Sequence, residues 1–268
     1  MSDSLHGRME FAVDAAWQAG KITLRYYQSG VRTEWKADES PVTIADRESE
    51  LKIREMIEQA YPEDGICGEE FDDKPSRSGS RWFVDPIDGT KAFVQGVPLY
   101  GVLLALENPD GVVVGTVYLP ALDEMVWAAR GEGAWWKGRR ASVSTVGALE
   151  NACFCYTEHQ SFAECGRAEA WRALAAAARV QRGWGDCYGH ILVATGRAEG
   201  SFDPVMNPWD CGPLLPILEE AGGTFTDWQG QATIYGPDAF STNGHLFEAV
   251  MAYLDPGAAA ASRSGEAP

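Results

Sequence analysis

The stretch Arg81-Trp82-Phe83-Val84-Asp85-Pro86-Ile87-Asp88-Gly89-Thr90-Lys91 decides the reading of the chain. A short apolar, aromatic and β-branched run reads as a buried strand, and two aspartates, a proline, a glycine and a hydroxyl follow at once. The expectation is a strand that stops where the chemistry begins. Pro86 fixes its own φ and keeps Asp85 extended, so both carboxylates can converge just past the strand end. Gly89 and Thr90 read as the opening of a helix whose free N–H groups favour an anion. Cation ligands and an anion cradle then stand side by side, which suits a metal-bridged phosphate. Taken alone, Asp-x-x-Asp-Gly-Thr reads first as a capped turn between a strand and a helix. A calcium loop fails on spacing, because its closing glutamate would fall where Gly96 stands.

Working outward toward the N-terminus, residues 5–27 place Leu5, Met9, Val13, Ala16, Trp17, Gly20 and Leu24 at helical intervals. A polar loop is expected over 35–41, then a second helix to residue 60 with Ile44, Leu51, Met56 and Ile57 facing inward. Residues 66–70 form a short apolar segment ending in the pair Glu69-Glu70, and 71–80 read as an exposed, mobile loop near the site. Toward the C-terminus, a short helix over 92–96 precedes strands at 100–107, 112–119, 124–130 and 134–137, the first two joined by Asn108-Pro109-Asp110-Gly111. Two helices followed by hairpin-linked strands make the first half, residues 1–145, an α+β layer with a mostly antiparallel sheet.

The second half, 146–255, alternates strands at 152–156, 180–182 and 201–203 with helices at 164–178, 188–195 and 209–221, an α/β pattern. Pro213 and Pro216 are expected to interrupt the last helix. The tail, 256–268, has too little apolar surface to order itself.

The chain has 268 residues and a formal charge of −17, with 39 acidic against 22 basic side chains. That balance argues against nucleic acid or an anionic membrane as partner. It would also repel a phosphorylated substrate unless metal ions reverse the sign locally. No apolar run is long enough to span a bilayer and the N-terminus lacks an apolar leader core, so a cytoplasmic protein is expected. Six cysteines show no C-x-x-C pair and no zinc-like pairing with the four histidines, and read as reduced thiols.

Further motifs lift the central stretch above its bland alternatives. They are Gly68-Glu69-Glu70 upstream, and downstream Pro208-Trp209-Asp210 followed by Glu219-Glu220-Ala221-Gly222-Gly223. In this order they resemble the inositol monophosphatase superfamily of magnesium-dependent, lithium-sensitive phosphatases. The resemblance implies a layered αβαβα sandwich and hydrolysis of a small-molecule phosphate ester by in-line attack of an activated water. It implies two or three Mg²⁺ per site: one held by Glu69, Asp85 and the carbonyl of Ile87, a second by Asp85, Asp88 and Asp210, with Glu70 helping the more loosely held ions. Oxygen donors without Cys or His suit Mg²⁺ independently. Glu69 and Thr90 match the residues that hold the attacking water, with Asp46 supporting Thr90, while Gly89 and Thr90 face the phosphate. The family's habit of dimerising implies a homodimer, with some tryptophans at the interface.

The alcohol-side pocket is expected from 182–190 and 203–210. There Asp186 and Asp203 depart from the inositol enzymes, which carry a small or hydroxyl residue and a glutamate. Two acids make that pocket negative and suit a cationic leaving group. Together with Trp184-Gly185-Asp186-Cys187-Tyr188-Gly189 and Val97-Pro98-Leu99-Tyr100-Gly101, the departures look most like the histidinol-phosphatase branch. Asp186 and Asp203 are then expected to contact the amine or ring. Inositol-1-monophosphatase and 3′-phosphoadenosine 5′-phosphate phosphatase are the alternatives within the class; a non-catalytic scaffold should have lost a ligand, and none is missing. His159 and His190 could line the substrate pocket but read first as surface or packing residues; Lys36 reads first as a solvated lysine, and the resemblance places it in a loop that reaches the site and can steer phosphate.

Overall fold

Capping and burial set the first helical layer. In the computed structural model, which describes residues 4–36 and 41–254, Ser4 caps α1 (Leu5–Tyr26) by accepting from the Gly7 amide at 3.1 Å. Its inward face is built from Met9, Phe11 and the small residues Ala12, Ala15, Ala16 and Ala19, whereas Trp17 turns outward. A ribbon of β1 (Glu34–Trp35) and β2 (Pro41–Val42) follows, and the centre of the loop expected over 35–41 lies outside the described residues.

Helix α2 (Ile44–Ala60) opens with a capping box in which Thr43 and Asp46 satisfy each other's backbone amides. The cap sets the helix phase. It turns Asp46, Ser49, Glu50, Ile53 and Ile57 inward and leaves Ile44 and Leu51 nearly half exposed, which corrects the inward stripe expected from apolar spacing. Polar site groups occupy inward positions that a count of apolar residues assigns to solvent.

The first sheet runs in the order β3 (Gly65–Gly68), β4 (Arg81–Asp88), β5 (Gly101–Asn108), β6 (Gly111–Leu119), β7 (Glu124–Ala129), β8 (Gly133–Trp136) and β9 (Arg139–Arg140). Only β3 and β4 are parallel. The short α3 (Thr90–Val94) follows β4. The segment 71–80 is anchored by paired backbone hydrogen bonds between Lys74 and Ile66 and by Ser78 Oγ on Asp64.

The second sheet contains β10 (Cys153–Tyr156), β11 (Val180–Arg182), β12 (Gly200–Asp203), β13 (Thr224–Thr226) and β14 (Ala239–Thr242) in the order β11-β10-β12-β14-β13, parallel among the first three. The helix expected over 164–178 is two helices, α4 (His159–Glu164) and α5 (Ala168–Ala177). Gly166 at φ +69° makes the break at low steric cost. Then come α6 (Asp186–Ala194), α7 (Pro208–Glu220) and α8 (Phe247–Leu254).

Pro213 and Pro216 do not interrupt α7. Each proline costs a helix interior about 3 kcal/mol, while each fully buried aliphatic side chain contributes about 1.5–3 kcal/mol. Cys211, Leu214, Ile217 and Leu218 are all buried between the two sheets, so packing holds the helix together.

Alternation along β5 shows the layering. Val102, Leu104 and Leu106 pack toward α1 and α2, and Leu103 and Ala105 toward α6 and α7. A third core, with Phe154, Phe202 and Phe240, packs the far side of the second sheet against α4, α5 and α8. The layers therefore run αβαβα, as the resemblance implies. Among the described residues no helix is long and apolar enough to cross a membrane. The tail expected to be disordered lies outside the described residues.

Candidate active site

Asp85 and Asp88 are three residues apart on one strand, so regular alternation would send them to opposite faces. The strand does not stop before them, as the sequence suggests; β4 continues through Asp88 with a bulge. Asp85 pairs with Leu103 and Asp88 with Gly101, so three steps on β4 oppose two on β5. The extra residue brings both carboxylates to one side. The main chain of α7 delivers the third: Asp210 lies in its first turn, held by the Asn207 amide at 2.8 Å from Oδ2. Carboxylate oxygens of Asp85, Asp88 and Asp210 lie within 4.8 Å of one another.

These groups repel one another. Burial, then the charges of Glu69, Asp88 and Asp210, push the Asp85 carboxyl well above the usual carboxylate range. Burial also pushes Asp88 and Asp210 up to about 7, with like charge from neighbours adding to it. Such a crowded all-oxygen donor set fits a hard divalent cation, which would offset both the repulsion and the desolvation.

Around this cluster the first turns of four helices converge. Asp46 in α2 is pinned through Oδ2 by Thr43 N and Oγ1 at 2.8 and 2.7 Å, which leaves Oδ1 for the Thr90 hydroxyl at 3.4 Å. Thr90 Oγ1 is also 3.0 Å from the Ile87 carbonyl, and the Ile87 amide donates to Asp85 Oδ1 at 3.0 Å. Burial pushes Asp46 up to about 6. At the start of α6, the Cys187 amide donates to Asp88 Oδ2 at 2.5 Å.

Glu69 and Glu70 follow β3 and share Lys36, whose Nζ donates to both at 2.8 and 2.7 Å. Glu69 is outside the tight three-carboxylate group, though its charge acts on Asp85 and Asp210. Burial pushes Glu70 up to about 7, against the pull of Lys36.

Next to the cluster a cavity of about 100 Å³ is lined by Asp88, Asp186, Asp203, Asp210, Val205 and Met206 among others. Asp186 has φ +51°, and its Oδ2 lies over Gly89. Burial, then Asp88 and Asp203, raise the Asp186 carboxyl well above its ordinary range. Asp203 ends β12, is 3% exposed, and has one oxygen on His190 while the other has no hydrogen-bond partner among the described residues.

Two supporting residues, Glu50 and Thr157, escape a reading of the sequence, and a third, Asn207, is read there only as part of the 203–210 segment. The buried carboxylate of Glu50 accepts the Glu70 amide at 2.8 Å and fixes the Glu69-Glu70 segment, with an i,i+4 pairing to Arg54 as its only signal. Asn207 orients Asp210, and Thr157 Oγ1 accepts the Asp186 amide at 2.7 Å.

The family model for inositol monophosphatases matches residues 5–264. The chain belongs to the inositol monophosphatase family. Its members and relatives here are phosphoric monoester hydrolases, and this chain is one by that membership. It is 42% identical to a histidinol-phosphatase of Chlorobaculum parvum over 251 residues, covering 93% of this chain and 97% of that protein. It is 36% identical to a histidinol-phosphatase of Mycobacterium tuberculosis, covering 94% and 99%. An inositol-1-monophosphatase of Rhizobium meliloti is 33% identical, covering 81% and 84%. Among solved structures, the extragenic suppressor protein suhB from Bartonella henselae superposes with a TM-score of 0.87 at 29% identity, covering 94% of this chain and 99% of that one.

Proposed function

We propose that this protein is a Mg²⁺-dependent histidinol-phosphate phosphatase acting in histidine biosynthesis in the cytosol. The observation that carries the reading is the alcohol-side cavity: two carboxylates, Asp186 and Asp203, line it beside the metal-type cluster, and one Asp203 oxygen has no protein donor. A leaving alcohol bearing an ammonium and an imidazole supplies the charge and the N–H donors that such a pocket lacks. Relatives named histidinol-phosphatase at 42% and 36% identity support the same substrate. All six cysteines are free thiols, which supports a reducing compartment.

Glu69, Asp85 and the Ile87 carbonyl would hold one Mg²⁺, and Asp85, Asp88 and Asp210 a second. Bound there, the cations supply charge neutralisation of the phosphate and acidify water. The chain's own residues do the positioning. The one Thr90 hydroxyl hydrogen has two acceptors, the Ile87 carbonyl at 3.0 Å and Asp46 Oδ1 at 3.4 Å; with that carbonyl turned to a cation it goes to Asp46, and the Thr90 lone pairs and Glu69 hold the attacking water. The Gly89-Thr90 backbone orients the phosphoryl oxygens, and Asp186 and Asp203 receive the cationic alcohol.

Inositol 1-phosphate is the second reading, supported by the Rhizobium relative. A phosphate-release screen over histidinol phosphate, inositol phosphates and adenosine 3′,5′-bisphosphate, with Mg²⁺ or with chelator, separates the readings. Fastest release from histidinol phosphate, lost on chelation, is expected. Comparable turnover of inositol 1-phosphate contradicts the assignment.

A further inference from the structure

His190 has 0% exposure on α6 and both ring nitrogens are partnered. Nε2 lies 2.8 Å from Asp203 Oδ2, and Nδ1 lies 2.9 Å from Ser241 Oγ. The ring packs edge-on to Phe225 at 5.5 Å between centroids. A carboxylate oxygen only accepts, so Nε2 carries the proton in that pair, and Nδ1 shares a hydrogen bond with the serine hydroxyl, which can donate or accept. Three elements thus form one hydrogen-bonded chain, Ser241 on β14, His190 on α6 and Asp203 on β12.

The chain ends at an asymmetric carboxylate. Asp203 Oδ2 is engaged by His190, whereas Oδ1 is buried without a donor, and Asp203 lines the cavity with Asp186, Asp88 and Asp210. Buried polar atoms are ordinarily satisfied, and an unpartnered carboxylate oxygen on a residue that lines a cavity is a group for which a ligand can supply the donor. A packing role alone needs no imidazole here: the neighbouring helix positions Ile191 and Val193 are buried and apolar.

We infer that His190 is a positioning residue for substrate specificity, anchoring Asp203 through Oδ2 so that Oδ1 stays free to accept an N–H of the substrate's cationic alcohol. The inference rests on the substrate class proposed above. Removing the Nε2–H donor frees the carboxylate to rotate or repack and blunts recognition of ammonium or imidazole, while phosphate handling at Asp85, Asp88 and Thr90 is untouched.

The test compares steady-state kinetics on histidinol phosphate and on inositol 1-phosphate, a neutral polyol ester, in the Mg²⁺-loaded enzyme. His190→Phe keeps ring volume without a donor. It is expected to lower kcat/KM for histidinol phosphate by about 10–100-fold, chiefly through KM, the scale on which loss of an orienting partner acts. Turnover of inositol 1-phosphate should stay within about twofold of wild type, and His190→Gln, whose amide can still donate, should restore most of the loss. In an Asp203→Asn background, His190→Phe should add no more than about twofold, because the two residues act as one unit. Should His190→Phe fail to fold, Ser241→Ala reads the same KM split at smaller size. Equal losses on both substrates, additive losses in the double variant, or a wild-type preference that survives His190→Phe overturn this inference alone. A wild-type enzyme with no preference for histidinol phosphate overturns the substrate reading and this inference with it.

Discussion

Asp186 reaches across from the second half of the chain to lie over Gly89, where a Cβ on residue 89 would stand 3.0 Å from the Asp186 Oδ2. The contact joins the alcohol-side pocket to the phosphate-side turn, and Gly89 at φ +83° tolerates it without strain. Asp186 itself has φ +51°, a conformation asparagine also adopts readily. Asp186→Asn therefore removes charge while keeping the backbone. A charge-assisted hydrogen bond is worth about 1.5–3 kcal/mol, so KM for histidinol phosphate should rise about 10–100-fold with little change for inositol 1-phosphate. Equal losses on both substrates would place the specificity pocket elsewhere.

Removing one member of the carboxylate cluster should split activity from stability. Asp88→Asn is expected to lower kcat by about 10³-fold or more, the scale of losing a charge-stabilising group in a catalytic site. The same change relieves repulsion among Asp85, Asp88 and Asp210, so the metal-free variant should melt a few degrees higher than metal-free wild type, at roughly 2–4 °C per kcal/mol. Calorimetry with and without chelator reads both; a lower melting point without metal would show that the cluster is not strained.

The same crowding gives a pH dependence. Asp88 and Asp210 titrate near about 7 in the folded, metal-free protein, against about 4 for an unfolded carboxylate. With the folded-state values raised, their contribution to stability is fully present below about pH 4 and is lost as pH rises through about 7. The metal-free protein should therefore lose melting temperature between about pH 5 and pH 8, while Mg²⁺ affinity increases over the same range as protons leave the ligands. A flat metal-free profile, measured by thermal unfolding in chelator, would contradict it.

Asp46 acts only through Thr90 in this arrangement, since Thr43 occupies its other oxygen. Asp46→Asn and Thr90→Val should each lower kcat by about 10²-fold or more, as loss of a proton-handling group does, with KM nearly unchanged. Losses confined to KM would mean that the pair binds substrate and does not orient water.

Much of this is legible in the sequence because it is encoded locally. The strand-to-turn motif, the hairpins and the three carboxylate motifs each announce themselves over a few residues. The bulge that aligns Asp85 with Asp88 is not, because it depends on the register against Leu103 and Gly101. Apolar spacing misreads the phase of α2 because its inward face carries Asp46, Ser49 and Glu50 in place of apolar groups. The continuity of α7 through Pro213 and Pro216 rests on burial between two sheets, which local propensity cannot report. His190 reads as packing in the sequence, since only the fold brings Asp203 and Ser241 to its two nitrogens.

The most direct measurement compares kcat/KM for histidinol phosphate with that for the analogue lacking its amino group, at saturating Mg²⁺. Recognition of a cationic alcohol by Asp186 and Asp203 predicts a loss of about 100-fold, near 2.8 kcal/mol, for the deaminated ester. Turnover of the two esters within about threefold, under about 1 kcal/mol, would contradict the account.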